Sequence, residues 1–293
     1  FIDKAIEISR RDDVIIATFG DMFRVPGSRS SLEKERAAGA SVKAVYSSID
    51  ALMLAKRNQD KEVVFLGIGF ETTAPTVARS ILLAKKDKVS NYSVLCGHKT
   101  MPEALKVLTG DPGLAIDGFL LPGHVSAVIG ARPYEFLPRR GKRCVITGFE
   151  PLDILQAILM LIMQDRPRIE IQYTRIISKE GNALARRAMD RVFEKCPSEW
   201  RGIGRIGSSG LRIKKEFAHF DAGSRFKPKI ATPKENRACI CGDVIKGLKT
   251  PPECKLFAGA CTPEHPVGSC MVSSEGTCAA YYKYSVQRLA DSV

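Results

Sequence analysis

Short β-rich runs alternate with helix-patterned segments along the first two-thirds of the chain, and this rhythm constrains the fold more than any other feature. The run VIIAT at 14–18 ends on Phe19-Gly20-Asp21, and a helix pattern over 32–38, with Ser31 able to cap it, precedes a second strand pattern at 42–46. A helix pattern over 49–57 follows. Residues 63–68 then lead through Gly69-Phe70-Glu71-Thr72-Thr73 into a helix over 74–86. Residues 92–95 lead through Cys96-Gly97-His98 into a helix with Pro102 in its first turn. Residues 116–121 end on Pro122-Gly123-His124, and 144–147 end on Gly148-Phe149-Glu150-Pro151 before an apolar helix over 152–164. Strand, loop and helix in this order predict parallel sheets flanked by helices.

Ligands gather beyond the carboxyl ends of strands in open parallel sheets. Five predicted strand ends here carry glycine or polar signatures: TFGD, GFETT, CGH, PGH and TGFE. A shared site is one reading. The plainer one is that each loop needs glycine and polar caps to turn.

From Arg168 the texture changes. Residues 169–177 alternate like a half-buried strand, 181–193 form an amphipathic helix, 200–217 are rich in glycine, and 227–235 read as a Pro/Lys linker. The longest apolar stretch, 154–163, is ten residues, half of the roughly twenty that span a bilayer. With no secretory pattern at the start, a cytoplasmic protein is expected. Its net charge of +13 is spread along the chain. The densest run, Arg139-Arg140-Gly141-Lys142-Arg143, lacks interleaved aromatics, so a solvated face is favoured over a nucleic-acid surface.

Six of the nine cysteines fall between Cys239 and Cys278. In a reducing compartment such a concentration points to metal rather than disulfides. Cys239, Cys254, Cys261 and Cys278 are separated by 14, 6 and 16 residues. Four thiolates suit a cubane iron–sulfur cluster, each completing one iron's tetrahedron. Structural zinc also takes four, usually as close pairs. The chain has no Cys-x-x-Cys, and Cys239-Ile240-Cys241 is too cramped for an ordinary zinc knuckle. The spacing therefore favours a cluster over zinc, with unligated core cysteines as a third reading. The Gly202-Ile203-Gly204-Arg205-Ile206-Gly207 match to a dinucleotide fingerprint is set aside, because a helix pattern and Trp200 rather than a strand precede it and Ser208-Ser209-Gly210 does not open a helix. Among the four histidines, His98 and His124 stand at predicted strand ends, whereas His219 and His265 lie in polar loops.

Several segments resemble the HypD family of hydrogenase maturation scaffold proteins. They are GDMFRVPGS at 20–28, GFETTAP at 69–75, PGHVSAVIG at 122–130, TGFEPLDIL at 147–155, WRGIG at 200–204 and CMVSSEGTCAAYYKY at 270–284, together with the cysteine spacing. The resemblance implies two Rossmann-like α/β domains, the first incomplete, and a C-terminal lobe holding a [4Fe-4S] cluster. It places the divisions at 1–58, 59–166 and 167–293. Cys239, Cys254, Cys261 and Cys278 become the cluster ligands, and Asp21, Arg24, Glu71, Thr72 and His124 shape a cleft where iron receives cyanide and carbon monoxide. The implied partners are a HypC-type chaperone, a HypE-type cyanide donor (charged by HypF) and the hydrogenase large subunit.

The family also carries an upstream segment with Cys-Gly-x-His-Thr and Gly-Pro-Gly-Cys-Pro-x-Cys motifs, which hold the iron and supply a redox thiol pair. Neither motif occurs in this sequence, so an absent N-terminal segment is expected. Two rival functions stay open. An independent cluster-dependent thiol redox enzyme would use Cys241 and Cys270, and a zinc-stabilised nucleic-acid-binding protein would suit the sequence pI of about 9.4.

Overall fold

The computed structural model describes residues 1–200, 202–230, 236 and 238–286. The predicted alternation becomes two parallel sheets. Strands β1 (Val14–Thr18), β2 (Val42–Ala44), β3 (Glu62–Gly67) and β4 (Tyr92–Cys96) form the first, in the order β2-β1-β3-β4. Strands β5 (Gly118–Pro122), β6 (Arg143–Thr147) and β7 (Ile169–Ile171) form the second, in sequence order.

Side chains alternate across a strand, and the first sheet uses this to build two cores. Val63 and Phe65 face one layer with Ile15, Ala17 and Val94, covered by α3 (Ser48–Arg57) and α4 (Ala74–Lys86). Val64 and Leu66 face the other with Val14, Ile16 and Leu95, covered by α1 (Ile2–Ser9) and α2 (Leu32–Ala37). Ser31 and Ser47 start α2 and α3 by accepting from the backbone N–H groups of Lys34 and Asp50. Because β1 pairs with both β2 and β3, the chain reverses direction across the sheet between β1 and β3. Such a switch point opens a crevice at the carboxyl edge.

The second sheet packs Leu121, Cys144 and Ile146 against Leu105, Tyr134, Leu137 and Ile177. Its helices are α5 (Met101–Leu108), α6 (Gly123–Ile129), α7 (Phe136–Arg139) and α8 (Pro151–Met163). Among the described residues no helix is long and apolar enough to cross a membrane.

Two expectations change. The division expected at 58/59 falls inside the first sheet, since Val14 to Ala17 of β1 pair with Glu62 to Phe65 of β3. The gap between sheets lies instead in the stretch from Cys96 to Gly118, which contains α5. The segment from residue 167 is also not one lobe. After β7, the helix α9 (Ala183–Val192) feeds an antiparallel hairpin of β8 (Phe193–Trp200) and β9 (Gly204–Ile213). Val192, Phe193, Leu211, Ile213, Phe217 and Phe220 then pack into the core of the first sheet. The glycine-rich 200–217 stretch is thus mostly strand, and the dinucleotide-like motif does follow a strand, β8, rather than a helix, but it turns the hairpin into β9 and opens no helix. A separate small core begins only at the cysteines. The predicted 227–235 linker lies partly outside the described residues.

Candidate metal centre

The sheet-edge residues are positioned first. Gly69 takes a positive φ of 103°, which turns the chain directly after β3. Thr73 Oγ1 fastens that turn by donating to the Ile68 carbonyl at 2.6 Å. Glu71 is carried inward, only 2% exposed. Its carboxylate accepts from Met101 N–H, the first residue of α5, at 3.1 and 3.3 Å. Glu71 therefore joins the edge of the first sheet to the start of the second sheet's helices. Burial pushes its carboxyl up to about 7, against the lowering effect of backbone hydrogen bonds and the Lys195 charge. Tyr134 of the second core lies close enough for the Glu71 charge to add to the burial that raises its hydroxyl.

Of the other expected cleft residues, Thr72 is the chain neighbour of Glu71 but points to solvent, and the rest lie on other loops. Asp21, Arg24 and Thr72 are exposed, and Arg24 reaches Glu33 at 3.8 Å. His124 belongs to the second sheet, at the first turn of α6. It stacks on Phe149 with ring centroids 4.8 Å apart and stands 6.3 Å from Tyr173. Among the described residues, none of these five touches another by hydrogen bond, ion pair or ring contact. Asp21 and Glu71 flank the switch point of one sheet, while His124 marks the carboxyl edge of the other.

His98, at the end of β4, is buried and its ring Nε2 has no partner among the described residues. Burial holds the imidazole down at about 3, so it stays neutral. Cys96 Sγ lies 3.5 Å from His98 Nδ1 and donates to the Leu211 carbonyl at 3.1 Å. Burial pushes that thiol up to about 12, which leaves it protonated and unreactive.

The C-terminal thiols do converge. Cys239, Cys241, Cys254, Cys261, Cys270 and Cys278 all line one hollow, together with Ile240, Val244, Phe257, Gly268 and Met271. No charged side chain borders it. Short local motifs aim the thiols inward. Cys241 opens a helical turn at Cys241–Ile245, and Cys254 follows a 3₁₀ turn at Pro251–Glu253 that Thr250 and Glu253 cap reciprocally. Cys261 donates its N–H to the Leu256 carbonyl at 2.8 Å, and Cys270 and Cys278 sit on the short helices Ser269–Val272 and Thr277–Tyr281. Val267 N–H points at Cys261 Sγ, 3.3 Å away, as amides do toward ligating sulfur.

The lining passes a direct test of fit. Gly268 closes the hollow, and a β-carbon there would stand 2.6 Å from Cys239 Sγ and 3.9 Å from Cys270 Sγ. Glycine keeps this space open. Among the described residues no three His, Cys, Asp or Glu side chains gather as ligands of a single ion. A set of thiols around one uncharged hollow is a donor set that structural zinc and iron–sulfur clusters both use.

Cys270 donates to Cys278 Sγ at 3.0 Å and also bonds Cys241. The bond from Cys270 draws Cys241 below the ordinary thiol range, with Ser269 Oγ adding a contact at 3.2 Å, and Cys270 correspondingly holds its own proton.

The family profile HypD, described as the hydrogenase formation hypA family, matches residues 1–285. The chain is 47% identical over 299 residues to the hydrogenase maturation factor HypD of Rhodobacter capsulatus, spanning 99% of this chain and 79% of that protein. The chain belongs to the HypD family. It stands among the hydrogenase maturation factors, with further likeness to the hydrogenase expression/formation protein HupD of Azotobacter chroococcum (49% over 300 residues, 99% and 79% of the two chains). The HypD maturation factor of Escherichia coli K12 is 44% identical over 291 residues, 98% of this chain and 78% of that one. Within this HypD-family chain, sequence reasoning had singled out neither Gly268 nor the Glu71–Met101 joint. The Gly-Ser-Cys run, with its glycine two residues before Cys270, was the signal for the first. The second depends on an N–H, which every non-proline residue has.

Proposed function

We propose that this chain is a scaffold and electron relay for assembling the Fe(CN)₂CO group of [NiFe] hydrogenases, and that Cys239, Cys254, Cys261 and Cys278 hold a [4Fe-4S] cluster. The carrying observation is the thiol-lined, uncharged hollow that glycine keeps open. When bound, the cluster supplies one-electron transfer. The chain's own part is to bury the ligand sulfurs among Ile240, Val244, Phe257 and Met271, and to offer Val267 N–H to Cys261. The cargo is an iron atom receiving cyanide and carbon monoxide. Asp21, Arg24, Thr72 and His124 are the exposed carboxyl-edge groups we assign to the cleft, with Glu71 as its buried joint. The partners are a HypC-type chaperone, a HypE-type cyanide donor and the hydrogenase large subunit, in the cytoplasm.

The bonds of Cys270 to Cys241 and Cys278 favour a second reading, in which Cys241 and Cys270 are a thiol pair served by the cluster in an independent redox reaction. Anaerobic purification with iron and sulfide quantitation tests the first reading. Cys254→Ala should lose most of its iron and sulfide, whereas Cys241→Ala and Cys270→Ala should keep both. Full iron in Cys254→Ala, or zinc in place of iron in the parent, would sink the ligand assignment.

A further inference from the structure

The cations of this chain are committed unevenly. The densest basic run in the sequence, 139–143, is engaged locally. Arg140 donates to the Lys106 carbonyl and Thr109 Oγ1, Lys142 donates to the Ile116 carbonyl, and Arg139 reaches Glu135 at 3.9 Å. A different face keeps its charge open. Helices α4 and α9 pack along one another over the first sheet's core. On and just beyond them, Arg79, Lys85, Lys86, Lys88, Arg187 and Lys215 are all exposed, and among the described residues none of the six forms an ion pair. Of the nearby acids, Asp87 is held by Lys56 at 2.7 Å and Glu216 by Arg191 at 2.6 Å, which leaves Asp190. Arg79 and Lys86 lie two turns apart on α4 and share one ridge. Lys85 and Arg191 converge on one ring, Phe217, at 4.6 and 5.5 Å, so the ends of the two helices stand side by side. Cations gathered this way repel one another, and an anionic partner would offset that repulsion.

Two features select a protein as that partner. Phe217, the ring these cations touch, is only 1% exposed, so a nucleic-acid base finds no aromatic face to stack on there. Leu184 is 76% exposed and precedes Arg187 and Arg191 on α9 at spacings that put all three on one side of the helix. An apolar anchor bordered by cations complements a helix that carries carboxylates around a central apolar residue. We propose that the outward face of α4 and α9 docks an acidic amphipathic helix of a partner protein, with Leu184 as the apolar contact and Arg79, Lys86 and Arg187 meeting its carboxylates. The open charge steers that partner to this side of the first sheet. The inference rests on the first sheet's helices alone and is independent of the thiol hollow.

The test titrates the 293-residue chain into a labelled synthetic helix with Glu along one face and Leu along the other, followed by fluorescence anisotropy. Arg79→Glu, Lys86→Glu and Arg187→Glu together should weaken binding tenfold or more and leave the chain's melting unchanged. Lys4→Glu, Lys34→Glu and Lys43→Glu together remove the same charge from α1, α2 and β2, where all three are exposed, and should weaken binding less than twofold. Leu184→Ser should weaken the helix severalfold and leave poly-L-glutamate binding unchanged. Equal losses from the two triple variants overturn the proposal, since binding would then follow net charge. A single-stranded oligonucleotide that loses as much affinity as the helix does to the first triple also overturns it, because nucleic acid would then be the occupant. If the first triple melts early, Arg79→Gln, Lys86→Gln and Arg187→Gln together replace it, with a severalfold loss expected and an unchanged affinity overturning the proposal.

Discussion

Replacing Glu71 with Gln separates what the carboxylate does for the fold from what its charge costs. Gln keeps an oxygen to accept from Met101 N–H, now bonded at 3.1 and 3.3 Å, and nearly the same shape. Folding raises the carboxyl from an ordinary 4.5 to about 7. A group raised in the folded state contributes its stability below the unfolded value and loses it as pH climbs through the folded one. The parent therefore bears a growing cost between pH 4.5 and 7. At about 1.4 kcal/mol per pH unit, the cost is about 1 kcal/mol at pH 5 and about 3 kcal/mol at pH 8. Denaturant unfolding of both proteins, under argon and at each pH, should show Glu71→Gln more stable by those amounts. A gap that does not widen with pH, or a variant less stable at pH 8, would refute the reasoning and mean the charged form is favoured by groups around it. The carboxylate is thus worse for stability than its amide at neutral pH. Its presence fits a role in the cleft, and Glu71→Gln should reduce hydrogenase maturation while raising stability.

His98→Phe should flatten the acid limb of the stability curve, because a buried neutral imidazole held at about 3 loses the chain about 2 kcal/mol at pH 5 relative to pH 7; an unchanged slope between pH 6.5 and 5 would show the ring accepts a proton in place. Gly268→Ala places a β-carbon 2.6 Å from Cys239 Sγ and should cut iron content at least severalfold, with far-ultraviolet dichroism unchanged; retained iron would mean the hollow is wider than its lining suggests. Gly242→Ala would collide with the Gly202 carbonyl, so exchange at the hairpin turn should quicken and the C-terminal lobe should become protease-sensitive before the sheets do.

Local chemistry made the parallel strands legible. Each is a short apolar run closed by glycine or a polar group, and the helix expected over 74–86 is α4 as observed (Ala74–Lys86). Pairing was not legible, because the rhythm is identical whether β3 opens a new sheet or joins β1. Register with Val14 to Ala17 decides it. The expected strand over 169–177 stops at Ile171 because Gln172 turns aside to bond Thr147, Gly148 and Asp153. β9 was hidden for a different reason. Gly204, Gly207 and Gly210 suppress strand propensity, and the strand forms because Leu211 and Ile213 find the first sheet's core. The convergence of the cysteines was legible in their crowding, but their number was not, since spacing selected four and folding gathers six around the hollow.

How the thiol lobe is fastened follows from which contacts are backbone and which are charge. Lys246 reaches Asp111 at 2.6 Å, but both are partly solvated, and pairs of that kind add at most about 1 kcal/mol. The closer joints are made by glycine. Gly242 packs on the Gly202 carbonyl in the turn between β8 and β9. Gly247 packs on the Ala115 carbonyl just before β5, where Ala115 N–H donates to the Lys246 carbonyl at 3.0 Å. One joint holds the hairpin that closes the first sheet's core, and the other holds the entry to the second sheet. The lobe is thus pinned to both halves at the stretch where they meet, and Glu71 ties the same halves together through Met101. A lobe held by close backbone approach is screened less by salt than one held by surface charge pairs.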